Sequence, residues 1–152
     1  MRHTLIAALA LTATALAASG CGESSGQSQA GAALIAQADA ICRRVHNELV
    51  SIRPETQSET ARLGAKVTAY ERAAVAAMRR LVPPASLAGD WKEIVAGAQT
   101  LADDAAKITA YARASKLETK AARALISESR TLRNHLLTVA TRDNFKDCSR
   151  TV

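Results

Sequence analysis

The sequence predicts an all-α protein, an antiparallel up-down-up-down four-helix bundle closed by one disulfide, and three observations lead there. Aromatic residues make up only 3% of the 152, and alanine is the dominant small residue. That composition suits close-packed helices better than strands, which favour aromatic and β-branched side chains. From Ala33 onward, apolar residues recur at steps of three or four, the mark of one buried stripe per helix. The stripe is cut at Pro54 and at Pro83-Pro84 and slips out of phase near Ala114, which divides residues 33–148 into four segments.

Residues 1–20 stand apart from this pattern. Arg2 precedes an apolar run from Leu5 to Ala18, which closes on Ala17, Ala18, Ser19 and Gly20 just before Cys21. The run is shorter than the roughly 20 residues needed to span a bilayer, so it reads as an export signal and not as a transmembrane helix. After Cys21, the stretch GESSGQSQAG has no apolar period and reads as a flexible tether, so residues 21–32 are expected to link the anchor to the domain.

In the first helix the stripe is Leu34, Ala38, Ile41, Val45, Leu49 and Ile52, ending before Pro54. A second runs Leu63, Val67, Tyr70, Ala74, Met78, Leu81 and stops at Pro83-Pro84. Ser86 is the expected N-cap of the third helix, with Asp90 favourable in its first turn and a stripe of Leu87, Trp91, Ile94, Ala98, Leu101, Ala105, Ile108 and Ala112. One continuous helix through residue 140 is the alternative to a break near Ala114. The break is favoured because Ser115-Lys116-Leu117-Glu118 has the capping-box spacing. The stripe then restarts as Ala122, Leu125, Ser129, Leu132, Leu136, Val139. A tail, residues 149–152, follows the domain.

The three cysteines are an odd number for an exported chain, where a leftover thiol needs an explanation. With Cys21 at the export boundary, Cys42 and Cys148 remain as a pair. A disulfide between them is expected in an oxidising compartment, the alternative being two buried thiols. The loop it closes is long enough for about 4–5 kcal/mol of loop-closure entropy.

The step Ala17-Ala18-Ser19-Gly20-Cys21 resembles the processing site of bacterial lipoproteins, with Ala18 where that family usually has Leu. The resemblance implies that the Cys21 thiol carries a diacylglyceryl group, that palmitate-type acyl chains anchor the chain, and that the mature protein sits lipid-anchored at the outer face of the cytoplasmic membrane or elsewhere in the cell envelope. LIAQADAIC at 34–42, LVPP at 81–84 and a late cysteine are similar to the small helical lipoproteins of actinobacteria. That resemblance covers residues 33–148, implies fold and location, and carries over no catalytic residue. This sequence departs from the group after its third helix, where the group more often turns on Gly-Asp.

The chain carries little that signals catalysis. His46 and His135 fall at the margins of their stripes, without a carboxylate at helical ligand spacing and without the Glu-x-x-His pattern of di-iron bundles, so no metal is expected. There is no Cys-x-x-Cys or Cys-x-x-Cys-His, and Met78 in a stripe reads as core filler and not as a haem ligand to pair with His135. No Gly-x-Ser-x-Gly elbow or glycine-rich phosphate loop occurs, and Gly64, Gly89 and Gly97 are isolated. Ser129 is expected to bond a carbonyl one turn back, Asp103-Asp104 to be an exposed pair, and Asp39 to favour the dipole of its helix. No cofactor is expected, and the chain is read as no enzyme.

Charge is distributed unevenly. Without Arg2 the chain keeps 19 Lys+Arg against 14 Asp+Glu, and the excess lies between Arg113 and Arg150. Arg43, Arg44, Arg142, Lys146 and Arg150 are expected to share the tether end of the bundle, where anionic headgroups would attract each by about 1 kcal/mol. Scarce aromatics and an exported location leave nucleic acid an implausible partner. The expected function is therefore that of a membrane-anchored, non-catalytic interaction or structural module with an envelope protein as partner. The alternative is a binding protein for a small apolar or lipid-like ligand between helices.

Overall fold

The computed structural model describes residues 22–52 and 54–151. The signal segment, Cys21, Arg53 and Val152 lie outside the described residues, and side chains are described from Ser28 to Arg150. Among these residues the chain is all-helical: α1 Gly22–Val50, α2 Gln57–Met78, a 3₁₀ turn Ala85–Leu87, α3 Ala88–Arg113, α4 Lys120–Arg142 and a short α5 Cys148–Thr151.

α1 begins eleven residues before the expected start at Ala33, so the stretch expected as a flexible tether is helical from Gly22. Ser28, Gln29 and Ala30 are exposed, and burial starts at Gly31, which approaches Leu87 of the 3₁₀ turn. From there the expected stripe holds. Leu34, Ala38 and Cys42 are in the core, with Ile35 and Ile41 packed against it.

α2 opens on a complete capping box at Thr56 and Glu59. The Thr56 hydroxyl accepts from the Glu59 N–H (3.2 Å), and Glu59 Oε2 accepts from the N–H groups of Thr56 (3.1 Å) and Glu55 (3.0 Å). These backbone bonds hold the Glu59 carboxyl below its ordinary range. The buried residues of α2 are Gly64, Thr68, Val75 and Met78. Of the expected stripe, Met78 is buried, whereas Leu63, Val67, Tyr70, Ala74 and Leu81 are only half-buried. The core-facing line is thus turned one residue from the apolar one, because the close approach of α3 rewards small side chains at the contact. A Cβ at Gly64 would overlap the Thr109 side chain, so only glycine lets the two helices come this near. Gly97 on α3 likewise faces Leu136 of α4 with no room for a methyl.

Ser86 is not an N-cap. It lies inside the 3₁₀ turn, and α3 follows directly with Leu87 at the cap position and no side-chain bond there. The break after α3 is real, but its chemistry differs from the expected capping box at Ser115. α3 ends in a Schellman motif, with Lys116 N–H donating to the Tyr111 carbonyl (2.8 Å) and Ser115 N–H to that of Ala112 (3.1 Å). Ser115 occupies the left-handed position at φ 56°, normally glycine's. The N-cap of α4 is Thr119, whose hydroxyl accepts from the Ala122 N–H (3.3 Å).

α4 ends by the same device. Phe145 N–H donates to Ala140 (2.9 Å) and Asn144 N–H to Thr141 (3.2 Å), with Asn144 at φ 64°. Asparagine tolerates this region better than most residues. The reversal drives Phe145 into the core, where it is fully buried and stacks on Trp91 with ring centroids 5.6 Å apart.

Each long helix packs on the next in sequence, α2 and α3 most extensively. α1 and α4 make no close backbone approach, and the α5 segment sits between them at one end. The hydrophobic core accordingly gathers there, uniting Leu34, Ala38 and Cys42 with Met78, Trp91, Ile94, Val139, Phe145 and Cys148.

Replacing Ser115 by Gly relieves the left-handed conformation of an L-residue, so Ser115→Gly is expected to raise unfolding free energy by about 1 kcal/mol in urea titration. An unchanged or lower value would mean that the α3–α4 turn has a different conformation.

Candidate functional site

Two assemblies bring distant side chains together. The first ties the end of the chain to the middle of α1. Asp39 and Cys42 lie one helical turn apart, so both face the C-terminal segment. Cys42 is disulfide-bonded to Cys148, with Cα atoms 5.0 Å apart. The Asp39 carboxylate, 8% exposed, accepts from three successive backbone N–H groups, those of Lys146 (3.0 Å), Asp147 (2.9 Å) and Cys148 (3.2 Å). Asp39 therefore acts on a partner segment more than 100 residues away, and not chiefly on the dipole of its own helix. In the motif Ala-Asp-x-Ile-Cys at residues 38–42, Ala38, Asp39 and Cys42 are all buried for this one purpose.

The expected surface cations are placed as follows. Arg43 pairs with Asp147 (3.4 Å), and Arg142 with Asp90 (2.7 Å) and Asp143 (3.4 Å). Lys146 and Arg150 are exposed beside them. Arg44 lines a cleft between α1 and α2 together with Tyr70. His46 and His135 are both exposed and stand on α1 and α4, which are not neighbours along their backbones as bundle closure would require. His135 pairs instead with Glu93 of α3. Among the described residues no three His, Cys, Asp or Glu side chains are grouped to hold a metal ion.

Asp104 is buried, contrary to the exposed pair expected at 103–104. Its carboxylate accepts from Lys107 (3.0 Å) and lies 3.0 Å from the Ser129 hydroxyl. Ser129 also bonds the Leu125 carbonyl one turn back (2.8 Å), as the sequence suggested. Asp103 is half-buried and pairs with Arg72 (3.3 Å).

The second assembly is the gap that α1 and α4 leave open. One part of it is a cavity of about 50 Å³, lined by Cys42, Val45 and Leu49 of α1, Ala74, Val75 and Met78 of α2, and Ala98 and Leu101 of α3. Glu71 and Arg133 also line it. A wider recess of about 290 Å³ shares Leu49, Glu71 and Arg133 and continues toward Gly64, Ile108 and Thr109. Glu71 falls on the buried line of α2 with Gly64, Thr68, Val75 and Met78, and its Oε2 is enclosed without a hydrogen-bond partner. Burial pushes this carboxyl up to about 7, against a smaller opposing pull from the Arg133 charge. Sequence reasoning missed Glu71, because a stripe traced through apolar residues passes beside it. The helical spacing 64-68-71-75-78 was the available signal.

Comparison with protein-family models, with curated proteins and with solved structures finds no match to this chain. The Asp39 and disulfide clamp has every hydrogen-bonding group engaged, and so reads as architecture. The gap with Glu71 has an unengaged one, and so reads as the place where something else can bind.

Two predictions follow from these geometries. Asp39→Ala strands three N–H groups and is expected to cost roughly 2–4 kcal/mol of unfolding free energy, whereas Arg43→Ala, which removes an exposed pair, costs under about 0.5 kcal/mol. Equal losses in denaturant titration would mean that Asp39 is not the clamp. For Glu71 the folded value exceeds the ordinary 4.5. The folded chain therefore keeps a proton that the unfolded chain loses between about 4.5 and 7. Stability is full below that interval and falls as pH rises through it, on the order of 3 kcal/mol in all. Glu71→Gln should flatten this decline and be the more stable protein at pH 8; parallel curves for the two proteins would remove the buried-acid assignment.

Proposed function

We propose that this chain is an exported lipoprotein, anchored through acylated Cys21 at the outer face of the membrane, whose helical domain is a non-catalytic binding or structural module of the cell envelope. The observation that carries the reading is the Cys42–Cys148 disulfide. It accounts for two of the three cysteines and favours an oxidising compartment. It also leaves Cys21, at the end of an export-like segment, as the residue to be modified. The likeness of residues 33–148 to small helical actinobacterial lipoproteins supports the same assignment. Among the described residues no helix is long and apolar enough to cross a membrane.

For the domain itself we propose an antiparallel up-down array of the four long helices. Short connections between successive helices and the pairwise packing of α1 on α2, α2 on α3 and α3 on α4 support it. α5 stands where direct contact of α1 with α4 would otherwise close the ring.

The helical start of α1 alters how the surface cations would work. Cys42, beside α5, lies about 30 Å along the helix from Gly22. An upright α1 would hold Arg43, Arg142, Lys146 and Arg150 beyond the range of headgroup charge, which fades over about 8–10 Å. Contact of these residues with anionic lipid therefore requires α1 to lie along the surface.

A second reading is favoured by the cavity around Glu71: a small, largely apolar ligand held between helices. An envelope protein partner remains the expectation of the first reading, and the two are compatible in one anchored domain.

Cys21→Ser tests the anchor. The variant is expected in the soluble fraction of the exported material, while the parent chain partitions into membranes and shows the mass of an acylated N-terminus. Retention of Cys21→Ser on membranes would overturn the lipoprotein assignment.

A further inference from the structure

The gap between α1 and α4 holds two polar groups that the fold leaves unmatched. Glu71 Oε2 is enclosed without a hydrogen-bond partner. Arg133, exposed on α4, forms no ion pair or hydrogen bond among the described residues, yet lines the same cavity and the recess beside it. From α1, Glu71 faces Val45, Leu49 and the disulfide-bonded Cys42, and from α3 apolar side chains and the Thr109 hydroxyl, already donated to Ala105 (2.8 Å). Arg133 is the one charged group facing it from another element among the described residues.

A guanidinium is a fork of N–H donors shaped for a carboxylate. A carboxyl group that keeps its proton near neutral pH is a further donor, not an acceptor. Two donors thus converge on one side of the gap, and the remaining wall is apolar except for the Thr60 and Thr109 hydroxyls, both already donated to backbone carbonyls. A ligand amine would meet the repulsion of Arg133, and an alcohol offers a single oxygen to two donors. The recess approaches the lower end of the size range of small-molecule pockets, roughly 300–1,000 Å³.

We propose that this gap binds a medium-chain carboxylic acid, its carboxylate accepting from Arg133 and Glu71 and its alkyl tail lying along the apolar walls toward Gly64 and Ile108. The proposal rests on the ligand-binding reading above and gives it a chemical class. Anion binding draws a proton onto Glu71, so affinity and protonation are linked.

The test uses the full chain carrying Cys21→Ser, with octanoate, octylamine and octanol, each below its aggregation concentration. Binding is followed by calorimetry and by the shift in Tm. Octanoate is expected to bind and raise Tm, with affinity about tenfold tighter at pH 6 than at pH 8, because only the Glu71-protonated fraction is competent. Glu71→Gln, which keeps a neutral donor, should bind octanoate equally at both pH values. Arg133→Gln, an exposed change that spares the fold, should weaken it at least about tenfold. Octanoate binding unaffected by Arg133→Gln would overturn the proposal. Binding of octylamine or octanol with octanoate inert would overturn the carboxylate class and leave the ligand-binding reading standing, whereas no Tm shift from any of the three would remove both.

Discussion

The hold of α1 on the end of the chain is the constraint on which the remaining architecture depends. Three backbone N–H groups of residues 146–148, that of Cys148 buried and the other two partly so, would lose their acceptor if the Asp39 carboxylate were absent, and an unsatisfied buried donor costs on the order of 1–3 kcal/mol. The neighbouring disulfide makes the same connection covalently across 106 residues. Because Asp39 and Cys42 share one turn, the electrostatic and the covalent tie reinforce a single docking geometry. Phe145, turned inward by the left-handed Asn144, fills the space beneath and meets Trp91. Close packing of the Leu34, Ala38, Ile94 and Val139 cluster follows from that closure.

Closure at one end has a consequence at the other. The α5 segment occupies the space between α1 and α4, so these two helices are held apart beside Cys42. Gly64 draws α3 close to α2, and Gly97 draws α4 close to α3. A layer that is tight on one seam and propped open on another leaves a cleft along the open one. That cleft is where Glu71 sits, with a desolvation cost that the Arg133 charge offsets only in part. A buried acid of this kind weakens the folded state above its titration range.

Alanine-rich seams would ordinarily argue against a ligand cavity, since small side chains let helices approach. The gap is nevertheless lined by small and large side chains together, Ala74 and Ala98 beside Val45, Leu49, Met78 and Leu101. The recess beside it reaches Gly64, where α2 and α3 approach closely.

The helical class, the stripes of α1, α3 and α4, the breaks at Pro54 and Pro83-Pro84, and the pairing of Cys42 with Cys148 were legible in the residues alone. These follow from local rules: apolar period, proline geometry and cysteine parity. The turn after α3 was legible as a break in phase but not in its chemistry, because Ser115 takes a left-handed position that glycine normally marks. Thr56 and Glu59 carried a readable capping signature, whereas a polar tract at 22–31 gave no local sign of the helix it forms. Only the tertiary structure decided that Asp39 caps a distant segment, that Asp104 is buried, that α1 and α4 stand apart, and that Glu71 is enclosed. The physical reason is common to all four. Periodicity reports which face of a helix is apolar, but the burial of a polar side chain depends on which neighbour arrives beside it, and that is set by contacts a hundred residues away.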